Sequence, residues 1–200
     1  MWGIWKIEET EDELLDLLQE KEVYKKEIAV FSLSSRRKEW LAERVLLKEL
    51  IGDEKQIIYT ESGAPTISDS SYRISISNTK NYVAVMADKY QRVGIDIEYI
   101  SSRVQKIKHR FMSEQELQHI GPFNEDIHLL LHWSAKESMF KALGETHVDF
   151  MKCLHITPFI PIMGEFSHLY AHETKTENHQ HFTIHYMVDS EFVITFTHLL

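Results

Sequence analysis

Asp96 and Glu98 stand two residues apart in Val93-Gly94-Ile95-Asp96-Ile97-Glu98. Strand side chains alternate between faces, so both acids point one way while Val93, Ile95 and Ile97 face a core. Carboxylates at i and i+2 sit roughly 7 Å apart, close enough to share one hard cation. An isolated pair of this kind usually faces water, but the flanking residues are too apolar for a casual surface strand. A third carboxylate comes from His132-Trp133-Ser134-Ala135-Lys136-Glu137-Ser138-Met139-Phe140-Lys141. Trp133, Glu137 and Lys141 fall at i, i+4 and i+8 on one helical face, with Lys136 beside Trp133 at i+3. A surface Glu–Lys pair is worth only ~0.2–0.5 kcal/mol, but a tryptophan on the same face draws the pair inward. Should Glu137 meet Asp96 and Glu98, the oxygen-only donor set favours Mg²⁺, which keeps waters and takes further ligands from a substrate phosphate. The lysines would hold that phosphate's other oxygens. The chemistry expected is that of a phosphate ester or pyrophosphate.

These groups need a strand and a helix to carry them, and the chain supplies both. Asn124 with Glu125 and Asp126 begins a helix that runs to about Leu143 and stops at Gly144. Earlier, Trp2 to Ile7 reads as a short strand, and Thr10 to Glu13 as a capping box leading into Leu14, Leu15, Leu17 and Leu18. Ile28 to Leu33 reads as a strand or extended approach to a helix over Arg36 to Ile51, with Gly52 as its stop. Arg36, Arg37, Lys38 and Arg44 give that helix a basic side, a candidate anion site in an acidic chain. Ile57 to Tyr59 is a strand, and Tyr72–Ser77 and Tyr82–Ala87 form a hairpin across Asn78 to Asn81. Ser113 to Glu116 is a second capping box, and strands follow at Leu154–Ile160, Phe182–Val188 and Phe192–Phe196. Helix followed by strands thus occurs twice. The fold class expected is α+β, with two similar lobes over 1–92 and 93–200, each a helix plus an antiparallel sheet.

Composition narrows the classes. Of 200 residues 43% are hydrophobic, enough for a real core, and 7 glycines with 4 prolines leave little room for long disordered linkers. The single Cys153 excludes an internal disulfide and fits a reducing compartment. Neither a signal peptide nor a membrane-spanning run is read, so the expectation is a soluble cytoplasmic protein. A net charge of −9 argues against a general nucleic-acid binder. The C-terminal histidines His168, His172, His179, His181 and His185 fall on expected turns and strands without cysteine partners, and are not read as a zinc site.

Gly94-Ile95-Asp96-Ile97-Glu98, followed some 35 residues on by Trp133-Ser134-Ala135-Lys136-Glu137-Ser138 with Lys141, resembles the paired signature of the 4′-phosphopantetheinyl transferases. The length and two-lobed plan resemble the monomeric Sfp type, whose pseudo-two-fold lobes would place the active site at their interface. The resemblance implies transfer of phosphopantetheine from coenzyme A to a serine of an apo acyl or peptidyl carrier protein, releasing 3′,5′-ADP. It implies Asp96, Glu98 and Glu137 as ligands of Mg²⁺, with Mn²⁺ as a substitute. Glu137 and Lys141 would be catalytic, Glu137 accepting the serine proton directly or through water. Asp96, Lys136, Lys141, Arg36, Arg37, Arg44, Ser77 and Asn78 would line the coenzyme A site, and Trp133 would be a packing anchor. The basic segment Arg103–Arg110 reads equally as a solvated face or, where the resemblance holds, as a docking surface, since carrier proteins resemble acidic helical bundles.

The sequence departs from the family at two positions. Gly63-Ala64-Pro65 stands where a Gly-Lys-Pro is frequent, and Ile76-Ser77-Asn78 where Ile-Ser-His is expected. Asn78 donates a hydrogen bond but carries no charge, so coenzyme A is expected to bind more weakly. The competing class is a non-catalytic coenzyme A- or carrier-binding protein on the same fold. An intact triad of mutually repelling carboxylates favours the enzyme.

Overall fold

The computed structural model describes residues 1–199, which form two compact units divided between Tyr90 and Gln91. The chain is α+β, with every sheet antiparallel.

In the first unit, β1 (Trp2–Lys6) pairs with β5 (Tyr82–Asp88), which pairs with β4 (Arg73–Thr79); β2 (Ile57–Tyr59) and β3 (Pro65–Ile67) form a separate ribbon. The β4–β5 hairpin forms as its alternation predicts, with Thr79 opposite Tyr82. Three helices precede the hairpin: α1 (Glu11–Asp16), α2 (Lys21–Ile28) and α3 (Ser34–Ile51). The Thr10–Glu13 capping box closes as expected, and Gly52 ends α3 in the left-handed conformation. Ile28 to Leu33 is no strand. Ile28 closes α2, and Leu33 is extended, as the residue before α3. The helix α3 covers β1 and β5, and Leu41, Val45 and Leu47 meet Val83 and Val85 in the unit's core.

The second unit is a five-stranded sheet in the order β6 (Arg92–Tyr99), β10 (Phe192–Leu199), β9 (His181–Val188), β8 (Phe166–Glu173), β7 (Leu154–Ile156). Short helices α4 (Arg103–Ile107) and α5 (Glu114–Gln118) lead to the long α6 (Glu125–Leu143), and α7 (Phe150–Cys153) precedes β7. The Ser113–Glu116 capping box is present, and Gly144 ends α6 at the expected residue. The strand expected over Leu154–Ile160 stops at Ile156, since Pro158 and Pro161 cannot donate to a ladder. The helix α6 is buried on nearly all sides, as expected for a helix apolar around its circumference. It lies on β6 and β10 at very close range. A Cβ on Gly94 would come within 1.9 Å of the Ser138 carbonyl oxygen, so only glycine admits the helix backbone there. Ser134 and Ser138 bond Thr195 through their hydroxyls, at 3.0 and 2.6 Å, and lock the helix to the sheet.

Candidate functional site

The lock fixes which face of α6 meets which strand residues. On β6, Gly94, Asp96 and Glu98 share one face by strand alternation, and α6 covers it. Lys141 donates to Asp96 Oδ1 at 2.8 Å and to the Ile95 carbonyl at 3.0 Å. Trp133 donates its indole N–H to Glu98 Oε1 at 2.7 Å. Trp133 therefore orients an acid as well as packing, a role its apolar bulk did not announce. Glu137 lies between these two helix positions and feels both acids. Burial, then Asp96 and Glu98, raise its pKa to about 7, against the pull of Lys141. Burial and the neighbouring Asp96 likewise push Glu98 up to about 7, although Trp133 and Lys141 oppose them. Glu137 thus lies within electrostatic reach of both Asp96 and Glu98.

The chemistry of this donor set suits a hard divalent cation. It offers only carboxylate oxygens, with Asp96 making both glutamates harder to ionise, and a cation would reverse that penalty. Among the described residues, no three histidine, cysteine or acidic side chains already converge as a ready cage. Beside Glu137 opens a cleft of about 860 Å³, walled by Trp133, Phe140 and Phe150 and rimmed by His109, Arg110 and Asp149.

Lys136 does not belong to this face. It is 0% exposed, and its ammonium donates to Glu116 Oε2 at 2.8 Å, the Phe111 carbonyl at 2.6 Å and the Phe150 carbonyl at 3.2 Å. Its three donors are spent inside the unit, so the phosphate contact expected of Lys136 is withdrawn. The helical wheel carried the signal: at 100° per residue Lys136 falls among Leu129, His132, Met139 and Leu143, all buried. Glu116 itself was legible only as a cap, and nothing in its spacing announced Lys136.

The expected nucleotide-side residues lie in the first unit. Arg37 bonds Glu11 at 2.8 Å and the Phe31 carbonyl at 2.6 Å, and Arg36 pairs with Glu39. Arg44 is buried, its guanidinium over the Trp40 ring and its Nη1 on the Trp40 carbonyl at 2.9 Å. The basic side expected to offer an anion site on this helix is thus narrowed: Arg37 is held by Glu11, and Arg44 is an interior group. Ser77 is buried on β4, and the Asn78 amide donates to Glu43 Oε1 at 2.9 Å. Sequence reading passed over Glu43, whose burial raises its pKa to about 7 despite Arg44 at 3.6 Å.

The site is therefore an acid-bearing strand under a helix that carries a third acid and a lysine, in an α+β protein. Residues 92–197 match the sequence profile of the 4′-phosphopantetheinyl transferase superfamily, and the chain belongs to that superfamily. Its chemistry is therefore, in general, transfer of a phosphopantetheine group. A comparison with curated proteins finds no match. No helix among the described residues is long and apolar enough to cross a membrane.

Proposed function

We propose that this chain transfers 4′-phosphopantetheine from coenzyme A to a serine hydroxyl of an apo carrier protein, releasing 3′,5′-ADP. The observation that carries the reading is the set Asp96, Glu98 and Glu137 with Lys141 seated on Asp96. Asp96, Glu98 and Glu137 would hold Mg²⁺, whose charge would offset that of the pyrophosphate. Lys141 is only partly buried, and its flexible stem would let the ammonium turn from Asp96 to a phosphate oxygen. Glu137 opens onto the cleft, where its carboxylate would take the serine proton directly or through a water. The serine oxygen forms the new bond to phosphorus as the bond to the 3′,5′-ADP oxygen breaks, and Glu137 receives the proton. Positioning and charge neutralisation do most of the work in such a transfer.

The test is incubation with coenzyme A, Mg²⁺ and a panel of apo carriers, read by intact mass. A phosphopantetheine gain on the carrier serine is the expected result. Coenzyme A binding by calorimetry with no gain on any carrier would leave a binding protein, not an enzyme.

A further inference from the structure

We infer that the buried Glu116–Lys136 ion pair is a positioning device for Glu98, acting through the two phenylalanines that hold Trp133. The inference rests on the proposed role of Glu98 in holding the cation. Glu116 takes the Lys136 ammonium at 2.8 Å and the Ser113 N–H at 2.9 Å on one oxygen, and the Ile156 N–H at 3.0 Å on the other. Lys136 in turn draws in the Phe111 and Phe150 carbonyls. One ion pair therefore fixes Phe111, α5, Phe150 and the end of β7 against α6.

The rings of the two tethered phenylalanines close on Trp133. Phe111 meets the indole edge-on with centroids 5.3 Å apart, and Phe150 lies tilted against it at 5.7 Å. Held by both rings, the indole directs its N–H at Glu98 Oε1, 2.7 Å away. Lys136 and Trp133 are three residues apart on α6, so the tether and the clamped ring share about one helical turn.

Energetics favour a geometric role over a stabilising one. Burying both charges costs nearly what their attraction returns, and apolar pairs of similar volume are often as stable. What an apolar pair cannot do is hold two carbonyls at fixed directions, and with them the rings that aim the indole. Groups that orient a metal-holding side chain typically change metal affinity by about 10–100-fold when removed.

The experiment uses the full chain, ¹⁵N-labelled. Its four tryptophans give four indole N–H signals, and Trp133→Phe identifies the one bonded to Glu98. The variant is Glu116→Gln with Lys136→Met, which leaves no lone buried charge. Its Trp133 signal should move towards a free indole while the other three stay in place. Mg²⁺ affinity, titrated on that signal, should fall about tenfold, and the KM for coenzyme A should hold within twofold. If the double variant does not fold, Phe111→Leu keeps the ion pair, loosens the clamp and should give the same two changes. A folded variant with the Trp133 signal and Mg²⁺ affinity unchanged overturns the inference. A wild type whose Trp133 signal and transfer ignore Mg²⁺ overturns the metal reading instead, so the two failures are distinguishable.

Discussion

Lys136 and Lys141 sit on one helix, and their fates diverge because five residues carry a side chain about 140° round the axis. Lys136 lands in the core on Glu116, whereas Lys141 lands at the rim on Asp96. Replacing Asp96 with Asn should abolish transfer at saturating Mg²⁺. Stability should change by no more than about 1 kcal/mol, because Lys141 can turn to water and Glu98 and Glu137 lose a repelling neighbour. Unchanged turnover would refute the assignment of Asp96. Glu43 gives a prediction in pH. Its pKa is about 7 folded and near 4.5 unfolded, so as pH rises from 4.5 to 7 the unfolded chain sheds its proton first. The stability it contributes is full below 4.5 and is lost through that window. Glu43→Gln should therefore flatten the stability–pH curve there by about 3 kcal/mol in urea titrations. Parallel curves for the two proteins would show that Glu43 is ionised in the fold.

At the scale of elements, what the sequence revealed depended on whether the determining interaction was local. Capping boxes at Thr10 and Ser113, stops at Gly52 and Gly144, and the alternation of β4 and β5 were legible because each is settled within a few residues. The helix α2 was missed: its residues Lys21 to Ile28 are mostly charged, and Glu20 makes no side-chain cap. The strand β8 was missed because its outward face carries Phe166, His168, Tyr170 and His172 in place of the usual polar residues. The seating of α6 on β6 was half legible. Gly94 reads as a gap in an apolar strand, but only the fold shows that the Ser138 and Ala142 backbone fills it. That contact is not soft, since the obstructing atoms are main chain at 1.9, 2.8 and 3.0 Å. Gly94→Ala must lift α6 from the sheet and stretch the Ser134 and Ser138 bonds to Thr195. A loss of about 3 kcal/mol is expected, at the upper end for overpacking, measured as a lower urea midpoint. A midpoint equal to wild type would mean that the helix can shift without cost.

For the molecule as a whole, charge sets a problem that local geometry must solve. The chain carries 31 acidic against 22 basic residues, a net −9, and its proposed macromolecular substrate is itself acidic. Long-range forces should therefore hold the two apart, and productive encounter requires a local patch of opposite sign. In the second unit, Arg103, Lys106, His109 and Arg110 are exposed along α4 and the turn after it, whereas Lys108 leans on Glu125 at 3.3 Å. His109 and Arg110 also rim the cleft that Glu137 lines, so a carrier held there would present its serine to the acids. Arg103 is unsuited as a probe, since its charge acts on Glu98. Lys106→Glu with Arg110→Glu should raise the KM for the carrier about tenfold at low salt and leave the KM for coenzyme A unchanged. In 1 M salt the screening length falls to about 3 Å, and most of the difference between variant and wild type should vanish. A carrier KM within twofold of wild type at low salt would place docking elsewhere on the surface. A tenfold loss that persists in 1 M salt would instead mark Lys106 or Arg110 as a close-contact residue whose interaction is shielded from the solvent.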